Sequence, residues 1–96
     1  MNTFPASNKD VARVLNKIVI LLEAQDASCF RITAYRKAAG CIHRLDESVS
    51  GIIREKGKEE LISHPNIGES IASLVTEYVK SGTSFLLQRL LGEVSH

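Results

Sequence analysis

Apolar residues recur at intervals of three or four along most of the chain, a spacing typical of helices that bury one face. The first such run extends from Asn8 to Ala24. Ser7 stands before the run and Asp10 follows three positions later, which is the pattern of a capping box with an acidic third position. We therefore predict a first helix over these residues, with Ser7 as its N-cap.

The rest of the chain shows the same periodicity in shorter segments, separated by polar, glycine or proline residues. The further helical segments predicted are residues 30–42, a segment capped by Asp46 or Ser48 and ended by Gly57, a turn or two over 58–63, residues 69–80 before Gly82, and a last helix from Ser84. No segment alternates apolar and polar residues as a strand would. The sequence therefore predicts an all-α fold: a compact bundle of five or six short helices in a single domain, residues 1–96.

Composition narrows the class of protein. A chain of 96 residues with 44% hydrophobic content can form one packed core without metals or disulfides. Cys29 and Cys41 form no metal-binding pair, and we interpret them as free thiols in a reducing compartment. The first residues do not resemble a signal peptide, and no apolar stretch approaches the roughly 20 residues of a membrane span. We therefore expect a soluble cytoplasmic protein, associated with the nucleoid if its source is bacterial.

Charge is unevenly distributed along the chain, although the formal net charge is only +1. The segment 28–58 carries seven Lys and Arg residues against three Asp and Glu residues, so the middle of the chain is basic and the remainder acidic. A locally basic segment is compatible with a polyanionic ligand. The balance is too small to predict nucleic-acid binding by itself.

Residues 63–72 interrupt the helical pattern with a sharp turn. Pro65 disfavours a helix, and Asn66 and Gly68 both accept a left-handed backbone. Gly68 precedes the next helix, whose first N–H groups lack intrahelical partners and lie at the positive end of the helix dipole. That geometry suits a phosphate oxygen. An ordinary link between two helices would show the same spacing, so the turn alone leaves both interpretations open.

Two motifs carry a resemblance to a known family. The first is Pro-Asn-Ile-Gly at residues 65–68 with Ser-Ile-Ala at 70–72 and Glu-Tyr-Val-Lys-Ser-Gly at 77–82; the second is Ala-Tyr-Arg-Lys-Ala-Ala at 34–39. Together they resemble the helix-hairpin-helix N-terminal domain of family X DNA polymerases, of the DNA polymerase beta type. The resemblance covers about residues 8–91, with the hairpin motif at about 58–80. No polymerase domain is present, so we interpret the chain as one module, or a fragment of a longer protein.

The resemblance implies a set of DNA-binding groups. In that family, backbone amides of the hairpin hold DNA phosphates, often with a monovalent cation on carbonyls of the turn. The implied phosphate-binding residues are Gly68 and Ser70 through their amides, Arg31 and Tyr35 at a 5′-phosphate, and Arg36 and Lys37 through their charge. The implied ligands of a Na⁺ or K⁺ ion are the carbonyls of Ile62, His64 and Ile67. By its helical spacing Tyr35 fits a core position equally well.

The chain departs from the family pattern at several positions. The family's lyase lysine, which attacks an abasic sugar to form a Schiff base, is replaced here by Leu74. Two other lysines are candidates for a relocated nucleophile. Lys80 lies on a different face of the predicted helix 69–80 that contains Leu74, and an exposed Lys37 would be a poor nucleophile. The hairpin's usual first glycine is Asn66, and Ser70 stands where a lysine is often found. Three acids crowd the approach to the turn: Glu59, Glu60 and Glu69.

Three functions follow from these observations. The first is a sequence-nonspecific DNA-binding module that contacts the phosphates of gapped, nicked or single-stranded DNA in repair or replication, without catalytic activity. The second is a helical protein–protein interaction module that has lost DNA binding and uses an exposed apolar patch at 85–91, with a second copy or a larger repair protein as partner. The third is an abasic-site lyase with a relocated lysine.

Overall fold

A computed structural model describes residues 7–94 of the chain, with side chains described as far as residue 92. The helices are α1 (Asn8–Ala24), α2 (Cys29–His43), α3 (Val49–Lys56), α4 (Lys58–Ile62), α5 (Glu69–Ser81) and α6 (Phe85–Val94). No strand occurs within residues 7–94, so the all-α prediction is confirmed. Over the same residues, no helix combines the length and the apolar character that a membrane crossing requires.

Serine caps set the beginnings of the first three helices. The Ser7 hydroxyl accepts the Asp10 N–H at 3.0 Å while the Asp10 carboxylate accepts the Ser7 N–H at 3.2 Å, which completes the predicted capping box. Ser28 caps α2 and Ser48 caps α3 in the same way, each by accepting the N–H three residues later. Of the two caps proposed for the third helix, Ser48 is therefore the one used.

The core lies where α1 meets α2 and α6, with α5 closing one side. Its largest fully buried side chains include Leu15, Ile18 and Leu22 of α1, Ile42 of α2 and Leu90 of α6. Each such side chain contributes about 1.5–3 kcal/mol through the apolar area that it removes from water. Short helices gain their stability from this shared packing rather than from helix propensity.

The last helix corrects one expectation about the surface. Residues 85–91 were expected to form an exposed apolar patch, but Leu90 is 1% exposed and the neighbouring leucines pack partly against the core. The apolar face of α6 packs against α1, because its leucines are removed from water there. Among the large apolar residues that the structure describes in that helix, only Phe85 remains largely exposed, at 70%.

Asn8 ties the first helix to the loop between α2 and α3. Its side-chain oxygen accepts the Val49 N–H at 2.7 Å, and its amide donates to the carbonyls of Glu47 at 2.8 Å and Leu45 at 3.4 Å. The oxygen and the nitrogen of one side-chain amide are thus both bonded to a segment about forty positions further along the sequence. The start of α3 is thereby fixed relative to α1.

Candidate nucleic-acid interface

The turn between α4 and α5 is closed by its own backbone. The His64 N–H donates to the Leu61 carbonyl at 3.0 Å, and the Ile67 N–H donates to the His64 carbonyl at 3.3 Å. Asn66 supplies the left-handed step at φ 72°, as its residue type allows. Ile67 is 3% exposed and anchors the turn in the core.

Gly68 does not use the left-handed backbone that its residue type allows. Its backbone is extended, with φ −90° and ψ −178°, and Asn66 makes the left-handed step of this turn. A Cβ built on Gly68 would meet nothing within 4 Å. No side chain caps α5 at Gly68, so its first-turn N–H groups carry no side-chain cap. The missing side chain therefore keeps the approach to these N–H groups clear.

A groove of about 850 Å³ lies between the first half of α2 and this turn. The α2 wall includes Thr33, Ala34 and Lys37, and the facing wall includes Gly68 and Ser70. Residues 33, 34 and 37 share one face of α2 because a helix repeats every 3.6 residues. The structure thus brings together three of the six predicted phosphate-binding residues: the two hairpin amides and the Lys37 side chain.

The other three predicted phosphate-binding residues lie elsewhere on α2. Arg31 is exposed but is not part of the groove lining. Arg36 is engaged across the α1–α2 interface, where its Nη2 donates to Glu23 Oε2 at 2.7 Å. Tyr35 is 4% exposed and belongs to the core cluster. Its ring therefore occupies the core position that its helical spacing allowed. All three are turned away from the groove by the same helical period that places Lys37 in it.

Phe30 is a component of the groove that the sequence prediction missed. It lines the groove and is 90% exposed, although phenylalanine is usually buried. The signal was present in its spacing: Phe30 lies four and seven positions before Ala34 and Lys37, and so on their face rather than on the face of Tyr35. An exposed aromatic ring beside backbone donors is a feature of surfaces that bind unpaired bases.

The acids near the turn obstruct the approach of a phosphate less than the sequence suggested. Of the three, Glu69 alone lines the groove, and its Oε2 accepts a hydrogen bond from Lys58 Nζ at 2.8 Å. Lys58 also donates to Ser73 Oγ at 3.1 Å. The hydrogen bond to the Glu69 carboxylate raises the pKa of the Lys58 amine above its ordinary value. The charge nearest the hairpin amides is therefore paired.

No amine occupies the family's lyase position. Leu74 is 8% exposed and belongs to the core cluster. Lys80 lines a second groove on the other side of α5, together with Lys58 and Glu77. Lys37 is the lysine of the hairpin groove. The structure thus separates Lys80 from the hairpin groove, as its position along the helix predicts.

The turn carbonyls are suited to a monovalent cation by their chemistry. The implied ligands are backbone oxygens, which coordinate Na⁺ and K⁺, and His64 uses its carbonyl to accept the Ile67 N–H while keeping a second lone pair. That hydrogen bond also holds residues 64 and 67 close together. No group of three or more His, Cys, Asp or Glu side chains with metal-site geometry is found within the described residues.

Comparison with known proteins agrees with this geometry. The model of the helix-hairpin-helix domain family matches residues 6–84. The protein described as DNA polymerase/3′-5′ exonuclease PolX of Bacillus subtilis (strain 168) is 31% identical over 86 residues, which cover 90% of this chain and 14% of that protein. The resemblance to family X DNA polymerases is thereby confirmed, over a small part of the relative's length. The chain belongs to the helix-hairpin-helix domain family.

Proposed function

We propose that this chain is a DNA-binding module that holds the phosphate backbone through its hairpin, in the context of DNA repair or replication. The observation that carries the proposal is the clear approach at Gly68 to the uncapped N–H groups of α5, in a groove that also contains Lys37. The related PolX protein supports DNA as the ligand. Polymerase and exonuclease activity are named for that much longer protein, of which this chain matches 14%.

Binding through backbone donors explains how the module would act without sequence preference. A phosphate oxygen accepts N–H groups at Gly68 and Ser70, and the Lys37 ammonium neutralises charge from the facing wall of the groove. The helix dipole adds about 0.3–1 kcal/mol for an anion at this end of α5. Contacts of this kind go to phosphates, which are the same at every base, so they position the DNA without reading its sequence.

A gapped or nicked duplex, or a single strand, is the form of DNA that the groove favours. Phe30 presents a solvent-exposed ring in the same groove as the phosphate-binding amides. Unpaired bases stack on such rings, whereas bases in an intact duplex are already stacked on their neighbours. At a gap, one strand's phosphate would lie at the hairpin while an unpaired base lies against Phe30.

A Na⁺ or K⁺ ion on the carbonyls of Ile62, His64 and Ile67 belongs to the same proposal. The ion would supply a fixed positive charge at the turn, next to the N–H groups that receive the phosphate. The hydrogen bond from the Ile67 N–H already orients the His64 carbonyl without the ion. Affinity for DNA should therefore depend on which monovalent salt is present, at equal ionic strength.

Fluorescence anisotropy with a gapped, 5′-phosphorylated duplex across a salt series tests the proposal. Two or three phosphate contacts predict a log–log slope of about 0.9 per phosphate. Gly68→Val should abolish binding without unfolding the chain, because its side chain enters open space in the groove. Gly92→Val is the matched control: its Cβ also meets nothing within 4 Å, but it lies on α6, outside the groove lining.

The alternative functions give different results in this experiment. A protein–protein interaction module shows flat anisotropy at low salt for the wild-type chain and for both glycine variants. Binding that survives Gly68→Val in a folded chain contradicts the hairpin as the phosphate site. The wild-type affinity must also fall as salt rises, since phosphate contacts release counterions.

A further inference from the structure

Glu69 stands at the position where a carboxylate most directly competes with DNA. It is the first residue of α5, it lines the groove with Gly68 and Ser70, and its side chain is 70% exposed. A carboxylate in the first turn is attracted by the same uncapped N–H groups that would receive a phosphate. Unrestrained, Glu69 would occupy those donors and repel the incoming phosphate charge.

The structure shows this carboxylate held by a second helix. Lys58, the first residue of α4, places its Nζ 2.8 Å from Glu69 Oε2 and 3.1 Å from the Ser73 hydroxyl. Ser73 lies one helical turn after Glu69 on α5, and it lines the second groove with Lys58 rather than the hairpin groove. The Lys58 ammonium thus links the Glu69 carboxylate to a residue one turn further along α5, outside the hairpin groove.

We propose that Lys58 is a positioning residue for DNA binding: it holds the Glu69 carboxylate away from the hairpin amides and neutralises its charge. This inference rests on the proposed function, and it assigns to Lys58 a role exerted through Glu69 rather than through a contact with DNA. The two partners lie eleven positions apart in sequence and meet because the turn at 63–68 brings the starts of α4 and α5 together.

Stability alone does not account for this ion pair. Both side chains are partly solvated, with Lys58 31% and Glu69 70% exposed, and exposed pairs contribute little to folding. Their effect on an arriving phosphate is larger, because like charges that converge on the same donors repel within a groove that the DNA dehydrates. The Lys58 amine, with its raised pKa, stays charged at neutral pH, so the arrangement holds under physiological conditions.

A double-mutant cycle on gapped duplex DNA, read by fluorescence anisotropy, tests the role. Lys58→Met keeps the aliphatic stem and removes the charge; we expect it to weaken binding by about tenfold, the scale of one partly solvated charge repulsion. Glu69→Gln should bind at least as tightly as wild type. The double variant should bind like Glu69→Gln, because without the carboxylate Lys58 has nothing to hold.

Two further variants separate positioning from general charge. Lys56→Met, an exposed lysine at the end of α3, removes the same charge from the same region and should weaken binding much less than Lys58→Met. Lys58→Arg retains a charged donor and should restore most of the affinity. Circular dichroism of each variant checks that the helices persist.

The outcomes distinguish this inference from the proposed function. If Lys58→Met weakens binding equally with and without Glu69, Lys58 contacts DNA itself and the positioning role is overturned, while the hairpin site stands. If the wild-type chain binds no gapped DNA, the proposed function fails and the role of Lys58 fails with it. If Lys58→Met weakens binding only when Glu69 is present, and Gly68→Val loses the binding of the wild-type chain, the positioning role and the proposed function are both supported.

Discussion

Asn66 and Gly68 lie two residues apart in the turn and have different structural roles. Asn66 takes the left-handed step at φ 72°, and Gly68, two residues later, is extended and faces open space where a side chain would project. One residue therefore shapes the chain, and the other leaves room for a ligand. Stability and binding at this turn should respond to different substitutions.

Substitution of Asn66 should change stability. Asn66→Val places a β-branched residue at positive φ and should lower the free energy of unfolding by about 1–2 kcal/mol. Asn66→Gly accepts the same φ without strain and should leave that free energy within about 1 kcal/mol of wild type. Urea denaturation of the two variants measures the difference. Equal stability of both would contradict a strained step at residue 66.

Arg36 and Lys37 are adjacent in sequence but should contribute unequally to DNA binding. Lys37→Gln removes a charge from the groove and should lower the log–log salt slope by about 0.9, one phosphate contact. Arg36→Gln should change the slope much less, because its guanidinium is already bonded to Glu23. Anisotropy titrations of both variants provide the comparison, each serving as the other's control for net charge. A larger decrease in the salt slope for Arg36→Gln would mean that the DNA contacts the Arg36 face of α2 and not the groove, which would contradict the proposed site.

Phe30→Ala should weaken binding of gapped DNA and spare the fold. Loss of one stacked base costs about 1–3 kcal/mol, and a ring that is 90% exposed contributes little to the core. Affinity for an intact duplex of the same length should stay nearly constant, since its bases are not available for stacking. Phe85→Ala, which removes another largely exposed ring outside the groove lining, is the control. If the Phe30 and Phe85 variants behave alike, the ring is not a stacking surface.

The helices were predictable because their signals are local. The period of the apolar residues, the Ser7 capping box and Gly82 in a left-handed conformation at the end of α5 depend on a few neighbouring residues. The observed bounds of α1 match the prediction, α2 is one residue longer than predicted at each end, and α5 is one residue longer at its C-terminal end. Helix propensity and capping act over a single turn, so one sequence is enough to read them.

The site was only partly predictable because it depends on how helices are placed against each other. The pairing of Arg36 with Glu23 arises at the α1–α2 interface, and that of Lys58 with Glu69 arises at the hairpin. Neither follows from periodicity within one helix. Gly68 shows the same limit, because glycine permits both a left-handed and an extended backbone, and its residue type does not say which one the fold uses.

Acid should weaken the start of α1 through Asp10. The hydrogen bond from the Ser7 N–H lowers the pKa of the Asp10 carboxyl, so folding favours its ionised form. This contribution is complete above the unfolded pKa of about 4 and is lost as pH falls through the lowered folded value. Asp10→Asn should show a smaller drop in stability between pH 5 and acid than wild type, by thermal melts read as ellipticity. Identical pH profiles would mean that the carboxylate does not support the cap.

Borohydride trapping on abasic DNA should give no covalent adduct with this chain. A Schiff base needs an amine that reaches the sugar aldehyde, and the family's lysine position holds Leu74 in the core cluster. Lys80 lies in the second groove, and Lys37 lines the hairpin groove from α2 rather than from α5. Leu74→Lys is the informative comparison, because an adduct with that variant alone shows that a bound abasic sugar lies within reach of position 74 and that the chain lacks only the amine. An adduct with wild type that Lys37→Met removes would instead establish a relocated lyase, and the chain would then be an enzyme as well as a binding module.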